Sequence, residues 1–441
     1  MTIRLETIRE CFEGVIPATM ATCSVDGVPN ISYLSQIQYV DDGHLALTYQ
    51  FFNKTRQNIL ANPYARLMVI SPVTGGQYRL TVRYMHTETA GPLFEKMKAK
   101  LAGIASQVGM ESVFRLLGAD LYQVIDIECT EQFVMRPPSE RNLMAALRAC
   151  SASLAQCHDL DTLLNTALDG LDRHFGFRHA MVLMYDAQQE RLYTVASHGY
   201  PESGVGSEIP LGQGVIGVAA RERTLIRIGH MNAEYAYSRT IRDNLAPPGA
   251  STEIPFPGLA NSRSQMAVPL VVCGALLGVL YVESERDLHF GYDEEEALQT
   301  LNAQMALQIR LAQALEAQED NTADEAGAMQ PEGTPLQVRY FEENGSVFFD
   351  DDYLIKGVAG TILWTLLQDY VQSGRTAFTN RELRLDARIR LPDLADNLEA
   401  RLILLARRLA ERSGRVLLVK AGRGRFTLQV GCPLKLSSAT R

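Results

Sequence analysis

Three stretches of the sequence carry residue types and spacings that could do chemistry. The first is Gln50-Phe51-Phe52-Asn53-Lys54-Thr55-Arg56-Gln57-Asn58, where a strand pattern ends and a helix pattern begins near Lys54. Open amides at a helix start favour an anion, and Lys54, Thr55 and Arg56 add positive charge and a hydroxyl, so the chemistry is phosphate binding. The alternative is a solvated helix start whose cations bind nothing. The second stretch holds Gly212, Gly214 and Gly217 in a GxGxxG spacing, followed by a long Pro- and Gly-rich segment containing His230, Tyr235 and Tyr237. As a phosphate motif GxGxxG needs a preceding strand and an acidic residue about 20 positions on; here it supplies tight turns instead. Structureless segments beyond about 12–15 residues are commonly functional, which makes His230, Tyr235 and Tyr237 candidates for holding a small molecule. The third stretch is a C-terminal helix and hairpin. Asn397, Arg401 and Arg408 are four and seven apart and share a face, and Arg423 and Arg425 sit in the hairpin. That arrangement suits a helix in a major groove with arginines on phosphates. Asp393, Asp396 and Glu399 at the helix start oppose it, although they also suit the helix dipole, and protein contact is the competing use. No GxSxG, HExxH, DFG or Walker sequence occurs.

The elements that must position these residues follow from pattern. Residues 15–85 alternate short β-branched and aromatic runs with Asp26–Gly27, Asp42–Gly43 and Gly75–Gly76 turns, the signature of hairpins. A short helix interrupts them and ends at Pro63. A second helix is expected from Pro92 through Val108; its Lys96, Lys98 and Lys100 cannot all share one face, and it either packs on the barrel or lids its pocket. Helices at 141–157 (Leu143, Leu147, Cys150, Leu154, Cys157) and 294–316 (Leu298, Leu301, Met305, Ala312, Leu315) carry coiled-coil spacing. They either cap their own sheet or join two copies of the chain. Residues 336–430 read as a small hairpin, three helices and a terminal hairpin.

The 441 residues, 46% hydrophobic and 21% charged, suit several packed domains. The N-terminal segment has acidic residues and no apolar signal core, no run is long enough to span a bilayer, and the seven cysteines form no CxxC pair. A reducing, cytoplasmic setting without metal is expected. Cys150, Cys157, Cys273, His158, His174 and His179 fall in one domain, where buried structural cysteine is the commoner outcome. The net charge of −9 is unevenly spread: residues 138–316 are −8 and residues 335–441 are +5. The basic end therefore calls for an anionic partner of its own. Linkers at 135–142 and at the acidic 317–335 divide the chain into domains over 1–137, 141–316 and 336–431.

The run ATCSVDGVPNISYLSQIQYVDDGHLALTYQFFNKTRQNILANPYARLMV resembles the pyridoxamine-phosphate oxidase-like, FMN-binding split barrels. Thr55 and Arg56 match that family's phosphate stretch; the following basic residue is Gln57 here, with Lys54 one step earlier. The resemblance implies a dimer with FMN at the subunit interface, its ring on the backbone of Ser35, Gln36 and Ile37 and its phosphate near Gln50, Asn53, Lys54, Thr55, Arg56 and Asn58. Haem, another flavin or no cofactor are the alternatives in such barrels. Only Arg79 and Arg83 are candidates for a substrate phosphate, so synthesis of pyridoxal phosphate is not expected. Gly212, Gly214 and Gly217 followed by Ser264, Pro269, Leu270 and Gly278 resemble a GAF sensory domain, which implies the fold and not the ligand. The C-terminal LPDLADNLEARLILLARRLAERSGRVLLVKAGRGRFTLQV resembles the winged-helix effector domain of response regulators.

The expected architecture is thus a split β-barrel, a central α+β GAF domain with flanking helices and a winged helix. The expected function is a ligand- or redox-responsive regulator acting on DNA. A flavin-dependent oxidoreductase and a ligand-free signalling scaffold are the alternatives.

Overall fold

A computed structural model describes residues 3–34, 36–49, 53–107, 116–131, 142–230, 254–316, 334–389, 398–422 and 424–439. Among them no helix is long and apolar enough to cross a membrane.

The N-terminal domain is a seven-stranded antiparallel sheet. Its strands are β1 (Ala18–Cys23), β2 (Pro29–Leu34), β3 (Ile37–Asp41), β4 (His44–Tyr49), β5 (Tyr64–Ile70), β6 (Gln77–Glu88) and β7 (Gly118–Glu131), in the order β2-β1-β5-β6-β7-β4-β3. Leu34, Ile37, Leu47, Leu67, Leu80 and Tyr122, from both ends of that order, share one core, so the sheet curls into a barrel. The turn glycine Gly27 has φ +81°, as its Asp-Gly turn requires. The run ISYLSQIQYV, legible only as β-forming, divides into β2 and β3. Helix α1 (Asn53–Ala61) interrupts the strands as the sequence predicts. Helix α2 (Pro92–Gln107) packs on the barrel, one of its two expected places, with Phe94, Met97 and Leu101 buried among Ala46, Leu116 and Ala119. Another face packs on the next domain: Ala99, fully buried, lies among that domain's side chains, and Gly103 sits close to Ile226.

The central domain begins with α3 (Leu143–Leu154) and α4 (Leu160–Gly170). Its strands are β8 (His179–Asp186), β9 (Arg191–His198), β10 (Glu208–Pro210), β11 (Ile226–Ile228), β12 (Ser264–Val272) and β13 (Ala275–Ser284), in the order β10-β9-β8-β13-β12-β11. α5 (Gly214–Glu222) precedes β11 and α6 (Tyr292–Glu316) closes the domain. Alternation on β13 sends Leu280 and Val282 toward α3, α4 and α6, and Val279 and Tyr281 toward α5 and α2. A Cβ on Gly278 would meet the Leu183 carbonyl, so the close approach of β13 to β8 requires glycine there.

The coiled-coil spacing of α3 and α6 is spent inside the domain. Cys150, Leu154, Leu298, Leu301 and Met305 are all at most 2% exposed, facing their own sheet. Met144, Leu307 and Leu311 face out.

The C-terminal domain is larger than the expected hairpins. β14 (Leu336–Phe341), β15 (Ser346–Phe349) and β16 (Asp352–Ile355) form a sheet that β20 (Leu434–Ala439) joins in parallel beside β14. Between them lie α7 (Gly357–Ser373), β17 (Ala377–Thr379), α8 (Asn380–Leu385), α9 (Leu398–Arg412) and the hairpin β18 (Val416–Gly422) with β19 (Arg425–Val430). Thr379 and Glu382 form a capping box at the start of α8. One continuous apolar core runs from the central domain into this one.

Candidate functional site

The phosphate stretch forms the start of α1, whose first turn carries no acidic residue. Its side chains are distributed differently from expectation. Lys54 is exposed. Thr55 is buried, receiving a hydrogen bond from Asn30 at 2.9 Å and donating to Ser32 at 3.3 Å. Asn58, also buried, donates to Thr22 at 3.1 Å. Arg56 turns back onto Asp120, at 2.9 and 3.1 Å, and lies 3.8 Å over the Tyr49 ring. These three side chains therefore tie the helix to the barrel, because each finds a partner the local sequence does not reveal. What faces outward is Lys54, in the first turn of α1, and a cation there fits a phosphate. Ile37 is a core residue on β3, which pairs only with β4 among the described strands. Gln36 precedes it, half-buried. Asn53 begins α1, and Ser35 and Gln50 lie outside the described residues. Arg79, a candidate for substrate phosphate, is paired with Glu128.

In the central domain the GxGxxG glycines make a turn, as their spacing predicts. The Gly212 amide donates to the Gly217 carbonyl at 2.8 Å, and the Gly217 amide to Gln213 at 2.9 Å. His230 is held at 2.6 Å by Asp287, which also pairs with Arg263. Tyr235 and Tyr237 lie outside the described residues. A group that sequence reasoning missed lies at the end of the sheet. The Glu283 carboxylate, 2% exposed, accepts from Tyr200 at 3.0 Å, from the Leu259 amide at 2.9 Å and from Tyr281 at 3.3 Å. Burial, then Glu283, pushes the Tyr200 phenol far above its ordinary range. The available signal was a single acid in the otherwise apolar run LLGVLYVES.

The expected groove-facing arginines are not on the surface. Arg401 and its partner Asp186, 3.1 Å away, have side chains 5% and 7% exposed, and Arg401 lies over Tyr193. Arg408 donates to the Leu354 carbonyl at 3.2 and 3.1 Å and to Glu411 at 3.3 Å. The polar face of α9 meets the central domain, so the helix is buried around most of its circumference. Arg407, which the spacing argument passed over, donates to Val195 O (2.9 Å), Asp161 (2.6 Å) and Asn165 (2.8 Å) of that domain. Arg425 stands on β19 opposite Thr379, half-buried. Asn397 and Arg423 lie outside the described residues.

The barrel meets the central domain through a second charge cluster. Arg227 lies between Glu13 (2.8 Å) and Glu295 (2.7 Å), and Lys96 reaches Glu295 at 2.9 Å. Arg9 pairs with Asp293, and both Arg9 and Arg227 lie over Tyr292.

Comparison with known proteins finds two family models that match parts of the chain. The pyridoxamine 5'-phosphate oxidase family model matches residues 5–127, and the GAF domain model matches residues 159–309. Residues 5–127 are thus similar to the first family and residues 159–309 to GAF domains. No curated protein matches. Among solved structures, an FMN-binding protein from Syntrophomonas wolfei subsp. wolfei is 17% identical, covering 30% of this chain and 89% of its own, with TM-score 0.25. The GAF domain of an Acinetobacter phosphoenolpyruvate-protein phosphotransferase is 20% identical over 40% of this chain and 99% of its own, TM-score 0.32. A free methionine-R-sulfoxide reductase from Neisseria meningitidis, in complex with its substrate, is 21% identical over 41% and 98%, TM-score 0.32.

Proposed function

We propose that the chain is a ligand- or redox-responsive regulator: the barrel binds FMN, the GAF domain binds a small molecule, and the C-terminal domain is a winged-helix-type output that acts on DNA. The observation that carries this reading is the position of the GAF domain. It sits between the other two and contacts each through charged groups, so a change at its sheet reaches both. Flavin binding is supported by the family match over residues 5–127 and by the exposed Lys54 in the first turn of α1. FMN supplies reversible redox chemistry when bound; Lys54 and the α1 amides hold its phosphate, and Arg56 keeps α1 in place through Asp120. Two copies associate through Met144, Leu307 and Leu311, exposed by 75%, 62% and 58%.

The test is the absorbance spectrum of the purified full chain, with mass spectrometry of what it releases on denaturation. Flavin bands and released FMN are expected, and Lys54→Ala is expected to lower flavin retention at least about tenfold, the worth of one charge-assisted contact. Colourless protein that takes up no added FMN overturns the barrel's role.

A further inference from the structure

The GAF domain is acidic, −8 over residues 138–316, and the C-terminal part of the chain is basic, +5 over 335–441. Beside the apolar core that runs between them, the two meet among the described residues through four ion pairs, each with its acid on the GAF side: Asp186–Arg401, Asp161–Arg407, Asp159–Lys420 and Glu208–Lys356. The bases come from three elements of the C-terminal domain, namely α9, β18 and the residue before α7, so the contact gathers that domain's basic surface rather than one side chain. Arg407 alone uses three acceptors, one of them a backbone carbonyl. Ser203 adds a hydrogen bond to Glu411 at 2.6 Å. Between the domains a polar cleft of about 30 Å³, lined by Asp186, Arg191, Tyr193, Glu208, Lys356 and Arg401, is the size of a single water.

The pairs are graded in depth. Arg401–Asp186 is sealed, while Asp161, Lys420 and Asp159 have side chains 44%, 42% and 29% exposed. Exposed pairs are screened by salt and sealed ones much less. The outer pairs are therefore the part of this contact that salt and changes at the acidic partner reach first.

We propose that the acidic face of the GAF domain is an intramolecular cap on the basic face of α9 and its neighbouring hairpin, so that the anion this basic domain calls for is, in the resting chain, the GAF domain itself. The cap keeps Arg401, Arg407 and Lys356 from any external polyanion, while Lys420 also pairs with Glu399 of its own domain at 2.9 Å. A ligand that shifts β8 or β9, which carry Asp186 and Val195, opens it. The proposal concerns regulation of the output assigned above and rests on that reading, and the two fail separately.

The experiment uses the full chain and the double variant Asp161→Asn/Asp186→Asn. Asparagine at 186 keeps the side-chain oxygen that accepts from the Gln188 and Gln189 amides, so the turn survives while the charge is lost. Amide hydrogen exchange of residues 398–412 is expected to speed up about tenfold or more in the variant, with exchange in the barrel unchanged. In the wild-type chain the same segment is expected to exchange faster as KCl rises from about 0.05 to 0.5 M, because the screening length falls severalfold. A 398–412 segment that is insensitive to both the double variant and salt overturns the cap, and the wild-type salt series decides the matter if the variant fails to fold. Anisotropy of a labelled random duplex at low salt then separates the two readings. Faster exchange with about tenfold tighter duplex binding supports both. Faster exchange with no duplex binding supports the cap and overturns the nucleic-acid output.

Discussion

The GAF domain meets its two neighbours in contrasting ways. On the barrel side the central cation is enclosed: the Arg227, Glu13 and Glu295 side chains are 4%, 3% and 5% exposed, with Tyr292 beneath the guanidinium. On the C-terminal side one sealed pair, Arg401–Asp186, is surrounded by pairs that grade outward to solvent. A buried charge that loses its partner leaves a large desolvation penalty, whereas an exposed pair leaves almost none. At its centre the first junction is therefore the costlier to open, while at the second, where an apolar core is continuous between the two domains, the outer ion pairs are the part that salt can loosen.

The largest effect is expected at the barrel junction. Arg227→Ala removes the cation that Glu13 and Glu295 share, leaving them buried with only Lys100 and Lys96 for charge, and should cost about 3–5 kcal/mol, read as a loss of denaturation midpoint in urea. A loss no larger than that of a surface substitution would erase the contrast between the junctions.

Acid should attack the same joint. Burial opposes ionisation of Glu13 and Glu295, yet Arg227, helped by Lys100 at Glu13 and Lys96 at Glu295, outweighs it and holds both below the ordinary glutamate value of 4.5. The folded carboxylates thus bind protons less readily than unfolded ones. Their contribution is complete above about pH 4.5 and is lost as pH falls through the lower folded values. Thermal melts from pH 7 downward should show that drop, and Glu295→Gln should flatten it.

Next in size is Asp186→Asn. It keeps the turn but leaves Arg401 facing a neutral amide, and about 1.5–3 kcal/mol is expected, the range for a hydrogen bond to a charged group. Melting of the full chain measures it. A cost as large as that of Arg227→Ala would make the C-terminal junction as costly to open as the other.

Much of the architecture was legible because its signals are local. Asp-Gly turns and β-branched runs marked the barrel strands, and the glycine pattern from Gly212 to Gly278 marked the GAF domain. The barrel and GAF matches fall within the boundaries read from Pro137 and the acidic linker. The site was less legible, since a cation's availability depends on acids far away in the chain. Arg56 is answered by Asp120, and Arg401 by Asp186. A run such as Lys54-Thr55-Arg56 shows three donors and does not show that two of them point inward. The apolar spacing of α3 and α6 likewise fits a partner chain and their own sheet equally, and only packing decides. Residues 434–439 were passed over because a strand paired in parallel with β14 leaves no hairpin turn in the sequence.

The smallest effect sharpens the comparison most. Asp161 is 44% exposed and its partner Arg407 21%. Arg407 also keeps Val195 O and Asn165 when that carboxylate is neutralised. Asp161→Asn alone should therefore cost no more than about 1 kcal/mol at low salt and nothing measurable at about 0.5 M. Comparing its melting with wild type at both salt concentrations tests this. Equal destabilisation at both would mean that the carboxylate acts through packing or helix-start geometry rather than charge, and the graded electrostatic character of this junction would fall. A salt-dependent difference here, beside a salt-independent one for Arg227→Ala, would establish that the charge at one junction is enclosed and that the other rims its apolar core with charge that solvent can reach.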